Sequence, residues 1–173
     1  MVGAWKFPGK VGDGVGLRRG VGGGLQQCSE PRWGPGVVVP EIPIQEHTRR
    51  SGWDHGEFSI TPLADFTIRA RILGVKPYSG SSLESVLSPV DVALGWGNMS
   101  DEVVLDQLHI TQSGRRYHYR WTQSPPLPVR EIIRSSANMH LVPATPQAER
   151  ALGRLRAGDV VVIDGALITD RAS

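Results

Sequence analysis

Ala157-Gly-Asp-Val-Val-Val-Ile-Asp-Gly-Ala-Leu-Ile168 is the stretch on which the fold turns. Gly158 and Asp159 have the chemistry of a turn, and Val160 to Ile163 are four consecutive β-branched residues, whose stiff side chains favour a pleated backbone. Gly165 is expected to mark a bulge or bend within the strand. A short helix ahead of this strand, and a bend within it, is the way small β-barrels turn a corner. The rest of the chain is therefore expected to pack against this terminal strand.

Working back from it, Thr145-Pro146 is a helix start, with Ala148, Leu152 and Leu155 on its inner stripe. Before that come a short strand at Met139 to Val142 and a helix from Val129 to Ser136. Ile132 and Ile133 point inward in this helix, and Asn138 stops it in a left-handed conformation. Ser113-Gly114 joins two strands, Ile110 to Gln112 and Arg115 to Trp121. The second puts Tyr117, Tyr119 and Trp121 on one face and Arg116, His118 and Arg120 on the other. Ser100 with Asp101 and Glu102 starts a helix to about Leu108. Ser88-Pro89 also reads as a helix start, with Asp91 at the third position and Gly95-Trp96-Gly97 as its end. Two strands are expected at Glu57 to Leu63 and Phe66 to Val75, and residues 36–45, GVVVPEIPIQ, form an extended arm or edge because their prolines cannot join a central ladder.

Composition bounds the domain count. Within 173 residues, positions 1–36 hold 11 of the 21 glycines and five Lys or Arg against two acids, whereas 37–173 carry 14 basic and 15 acidic residues. The expectation is a disordered Gly-rich tail over 1–36 and a single β-rich domain over 37–173. The pI near 9.0 reflects that tail, so the near-neutral body makes nucleic acid an unexpected partner. A lone cysteine, Cys28, excludes an internal disulfide framework. No apolar run is long enough to cross a membrane or to act as a signal peptide, which on the sequence as it stands implies a cytoplasmic chain. Two phosphate-loop patterns fail on spacing: Gly3 and Gly9-Lys10 are separated by five residues, and Val11 replaces the hydroxyl. Glycines 12, 14, 16 and 20 lack a preceding strand and have Leu17 where another glycine is needed.

The residues that invite a chemical reading are few. His118, His140, Ser113, Asp91 and Asp101 are the parts from which a hydrolase would be built, but no G-x-S-x-G elbow is present and the hairpin turn already accounts for Ser113. His47, His55, His109, His118 and His140 match no metal-ligand spacing, although His109 and His118 are candidates to face each other across the hairpin. No cofactor or metal is expected. Tyr117, Tyr119 and Trp121 with Arg69, Arg71, Arg115, Arg116 and Arg120 supply the residue types of a nucleic-acid-binding barrel, but rings and guanidinium groups on opposite faces read more simply as core and solvent. The preferred ligand-binding region is Asp91, Trp96, Asn138 and His140, with Gly95 and Gly97 letting a ligand approach the backbone.

The strings ITPLADFTIRARIL (60–73), LSPVDVALGWGNMSD (87–101), ITQSGRRYHYRW (110–121), REIIRSSANMHLVPA (130–144) and RAGDVVVIDGALI (156–168) resemble an uncharacterised family of bacterial proteins. The resemblance implies an envelope-anchored protein: an apolar N-terminal helix, a proline-containing linker like residues 36–45, then a β-rich domain. It also implies a final aromatic strand region; neither that region nor the anchor lies within these 173 residues. The combined expectation is an α+β domain, a small antiparallel barrel of the oligonucleotide-binding (OB) kind, closed or incomplete, with three short helices. It would be a non-enzymatic envelope or assembly module binding a protein or small ligand. A hydrolase using His140 or His118 and a nucleic-acid-binding domain are the alternatives.

Overall fold

Alternation of apolar and polar residues over 58–72, and the β-branched run at 160–163, build the two longest strands. The structure, a computed structural model, describes residues 4–6 and 31–172. In chain order the strands and helices are β1 (Ala4–Lys6), β2 (Ile44–Glu46), β3 (Trp53–His55), β4 (Phe58–Pro77), α1 (Leu83–Leu87), β5 (Val90–Gly95), α2 (Glu102–Leu105), β6 (His109–Ser113), β7 (Arg116–Arg120), α3 (Val129–Arg134), β8 (Ser136–Val142), α4 (Pro146–Leu152) and β9 (Val160–Ala172). A 3-10 turn, Gly97–Ser100, links β5 to α2. This is a mostly antiparallel sheet with short helices, an α+β architecture.

The main sheet runs β2-β4-β5-β8-β1-β9, with β3 paired to β4 and β9 paired also to β4. β1 lies parallel to β8 and antiparallel to β9, with Trp5 opposite both Leu141 and Leu167. β4 is the backbone of this arrangement: its residues from Phe58 to Arg71, all but Leu63, pair with β9, and those from Arg71 to Pro77, all but Leu73, pair with β5. Phe66, Ile68, Ala70 and Ile72 of β4 meet Val92 and Leu94 of β5, Met139 and Leu141 of β8 and Ile163 of β9 in the main core. A smaller cluster joins Phe58, Ile60, Leu87, Val142, Ala166 and Ile168.

The terminal strand has the central place that its sequence implies, and α4 is capped as expected, the Thr145 hydroxyl accepting from the Ala148 N–H at 3.1 Å. Several expectations are corrected. The two strands at 57–63 and 66–75 are one twenty-residue strand, because β9 is long enough to pair with both halves; Pro62, with no N–H to give, sits at the irregularity. That irregularity falls between Pro62 and Ala64 of β4, not at Gly165, which pairs in register with Phe66. Val90 to Gly95 is a strand rather than a helix. All six residues are buried between β4 and β8, and tertiary pairing overrides the Ser-Pro signal. The helix lies just upstream, at α1, with Ser82 as its cap. Asn138 is in the middle of β8 rather than at a helix stop, and Ile133 of α3 is exposed while Ile132 is buried. The hairpin turns one residue later than expected, at Gly114 and Arg115, with φ of 55° and 61°, the pair of left-handed residues that a two-residue hairpin turn requires. Four short α-helices, not three, occur among the described residues.

Most of the segment expected to be disordered, 7–30, lies outside the described residues, as do Cys28 and the phosphate-loop glycines. Pro31 to Val39 runs across α2 and the 3-10 turn. Gly36 donates to Asp101, and Val38 and Val39 donate to the Ser100 hydroxyl at 3.1 and 3.0 Å. No helix among the described residues is long and apolar enough to cross a membrane.

Candidate functional site: the polar cluster beneath the hairpin

β5 and β8 place alternate side chains on the face away from the core. Asp91, Ala93 and Gly95 stand opposite His140, Asn138 and Ser136. The β6–β7 hairpin covers this face, and a set of polar groups closes the space between.

Asp91 is its centre and is wholly buried. Its Oδ1 accepts from His140 Nδ1 at 2.6 Å and from Arg115 Nη1 at 2.9 Å. Its Oδ2 accepts from the Tyr78 hydroxyl at 3.1 Å and, at the limit of a hydrogen bond, from Asn138 Nδ2 at 3.5 Å. Burial alone would push the Asp91 carboxyl up, but the bonds and charges of His140 and Arg115 outweigh it and hold the carboxyl below its ordinary range. An ionised carboxylate only accepts, so His140 must present Nδ1–H, which leaves Nε2 as the ring's acceptor whenever the imidazole is neutral. Nε2 has no partner among the described residues, and 15% of the side chain is exposed.

Around this pair the hairpin is stitched down. Arg115, at the tip, also donates to the Ser88 carbonyl at 2.8 Å, and its guanidinium lies 3.7 Å from the centre of the Tyr78 ring. Burial first and Asp91 second push the Tyr78 phenol up. Gln112 donates to Asn138 Oδ1 at 2.8 Å, and Asn138 donates back to the Arg115 carbonyl at 3.3 Å. Tyr117 is raised by burial and reaches Ser136 Oγ at 3.4 Å.

Of the four residues expected to form a ligand region, three converge: Asp91, Asn138 and His140. Trp96 does not. It follows Leu94 on the other side of β5 and packs in the main core with Val39 and Leu152. Gly95 is also spoken for, since a Cβ there would collide with the Met99 carbonyl oxygen and the Leu73 side chain, so its bareness admits the chain's own turn. Sequence reading missed Arg115, Tyr78 and Gln112. Arg115 had a signal, a long cation in a turn where Gly or Asn is usual; Tyr78 had none.

Of the hydrolase parts, Asp91 and His140 meet, but His118, Ser113 and Asp101 lie apart from them. His118 is exposed on the outer face of the hairpin opposite Thr111, and Ser113 is opposite Arg116. Asp101 caps α2 by accepting from Val103 N–H at 2.9 Å. His109 pairs with Arg120, so it is only diagonal to His118. His47 and His55 belong to the β2–β3 end of the chain. Among the described residues no group of three or more His, Cys, Asp or Glu converges to hold a metal ion.

A second polar cluster sits under residues 31–39. Glu102 Oε2 accepts from the backbone N–H groups of Trp33 and Gly34, both at 2.7 Å, and Oε1 meets Arg32 Nε at 2.9 Å and Arg71 Nη2 at 3.7 Å. Burial would raise the Glu102 carboxyl, yet the two backbone donors and the arginines hold it below its ordinary range. Arg71, itself buried, donates to the Ser100 carbonyl at 3.1 Å, while its Nε has no hydrogen-bond partner among the described residues. A shallow cavity of about 410 Å³ opens here, lined by Arg32, Arg71, Leu73, Glu102, Leu108 and Ile110 among others.

Comparison with family models, with curated proteins and with solved structures returns no match to this chain.

Proposed function

We propose that the chain is a non-enzymatic binding module, envelope-associated as the family resemblance implies, that takes a protein or small polar ligand at the His140 edge of the Asp91 cluster. An OB-like barrel is the matching fold reading. What supports it is the double pairing of β4, with β5 and β9, and of β1, with β8 and β9.

The observation that carries the binding reading is the state of His140. Its ring is oriented by a buried carboxylate through Nδ1, and Nε2 is left unpartnered at a partly exposed position. A rigidly held acceptor next to an amide, Asn138, and a cation, Arg115, is a recognition feature rather than a packing one. The test is a fragment screen by protein-observed NMR on the full chain. Ligands whose shifts centre on Asp91, Asn138 and His140, and which lose affinity in His140→Ala, are the expected result. Shifts that centre elsewhere would sink the assignment.

The same Asp91–His140 pair supplies two of the three members of a hydrolytic triad, which keeps the enzyme reading alive. Against it, no hydroxyl among the described residues is hydrogen-bonded to His140 or to His118. Ester, phosphodiester and glycan substrates decide between the two: turnover that disappears in His140→Ala would replace the binding module with a hydrolase.

A further inference from the structure

The β6–β7 hairpin has two unlike faces. Ile110, Gln112, Tyr117 and Tyr119 are half-buried toward the sheet, and alternating with them His109, Thr111, Ser113, Arg116, His118 and Arg120 are exposed. The register sets His109 opposite Arg120, Thr111 opposite His118 and Ser113 opposite Arg116, so these six side chains share one surface. No acidic residue occurs between Asp106 and Glu131 in the sequence, and neither Arg116 nor Arg120 makes an ion pair among the described residues. A rise of roughly 3.4 Å per residue spaces Arg116, His118 and Arg120 about 6.8 Å apart along one edge.

Hairpin stability gives no reason for this arrangement. Unneutralised cations along one face repel, and a two-stranded ribbon is marginal by itself, so the hidden face must hold it in place through Arg115, Gln112 and Tyr117. We propose that the outer face of the hairpin binds the phosphate backbone of a nucleic acid. Guanidinium forks, imidazoles and the Thr111 and Ser113 hydroxyls are the donors that phosphate oxygens accept from. A two-stranded ribbon also matches the width of a duplex major groove. The face has no apolar side chain, which is what a bilayer or the centre of a protein interface would require. Tyr117, Tyr119 and Trp121 do not share it. The three rings run in a row, with centroids 5.5 and 6.3 Å apart, on the opposite side. Contact is therefore with the backbone rather than with stacked bases, so binding is indifferent to sequence and steeply dependent on salt. It does not depend on the His140 reading, since it uses the other face.

The test is fluorescence anisotropy of the full chain with a short labelled duplex, from low to physiological salt. The expected result is binding whose logarithm falls with the logarithm of salt concentration with a slope of about 2 from the two arginines. In R116Q/R120Q that slope drops by about 2 and low-salt affinity falls at least about tenfold, with the melting curve unchanged. The control R154Q/R156Q, which removes two exposed arginines beyond α4, should bind as the parent does. Absence of binding at low salt overturns the proposal, as does equal binding by R116Q/R120Q or an equal loss in the control. Sedimentation with phosphatidylserine vesicles is the final arm. Vesicle binding that R116Q/R120Q abolishes, with no duplex binding, would overturn it in favour of a membrane surface.

Discussion

Asp91 and Glu102 are both buried carboxylates on the outer side of one sheet, and each ties a separate length of chain to it, but they do so by different chemistry. Asp91 is surrounded by side chains: His140, Arg115, Tyr78 and Asn138, drawn from three parts of the sequence. Glu102 gives one oxygen to two backbone N–H groups, of Trp33 and Gly34, and the other to arginines. A carboxylate read by side chains depends on four particular residues. One read by backbone depends on the path of the chain and on almost no residue identity beyond its own. The first cluster can therefore be dismantled from many positions and the second from few, Glu102 above all.

The largest effect should come from removing Asp91. Asp91→Ala leaves Arg115 and His140 around an uncompensated hole, and a loss of about 3–5 kcal/mol is expected by denaturant unfolding. A loss below about 1 kcal/mol would mean that the cluster is screened by water and that the comparison fails. Glu102→Gln should cost less, about 1.5–3 kcal/mol, because the amide oxygen still accepts from Trp33 and Gly34 and what is lost is the charge toward Arg32 and Arg71. Equal losses from the two changes would show that charge, not backbone capture, holds residues 31–39.

Acid should unpick both. The Asp91 and Glu102 carboxyls are held below their ordinary values of 3.8 and 4.5. Each therefore contributes stability that is fully present above those values and is lost as pH falls through the lower folded-state pKa. Each unit of lowering is worth about 1.4 kcal/mol. Thermal melts should be flat from neutral pH to the high fours and fall below that, and Asp91→Asn should flatten the fall; a parent protein equally stable in stronger acid contradicts both assignments. The smallest effect is that of Arg32, whose side chain is 69% exposed. Arg32→Ala should cost under about 1 kcal/mol, against a clearly larger loss for Arg115→Ala, where only 18% is exposed.

The two clusters also differ in how far they could be read in advance. Asp91, Asn138 and His140 can be grouped as a polar ligand region near Gly95 and Gly97, although Asp91 reads locally as the third residue of a helix and Asn138 as a helix stop. Glu102 gave no comparable sign. It resembles any acid in the first turn of a helix, and its partners are N–H groups that every residue but proline owns. Trp96 was misplaced because Gly95-Trp96-Gly97 reads as the end of a helix, whereas 90–95 is a strand and the indole falls on its core side.

Local chemistry determined the features whose cause lies within a few residues. The β-branched run made β9 a strand, Thr145-Pro146 started α4, and the alternation of rings and arginines in 116–120 set the two faces of the hairpin. Tertiary structure alone decided that residues 58–77 form one strand, that 90–95 is a strand, and that the tip of a hairpin should supply the counter-charge of a buried aspartate. Those outcomes depend on neighbours 13 to 114 residues away, such as β5 and β9 along β4 and Arg115 against Asp91. Free energy gained by pairing and burial at that distance exceeds any local preference for turn or helix, and it leaves no trace in the short-range pattern.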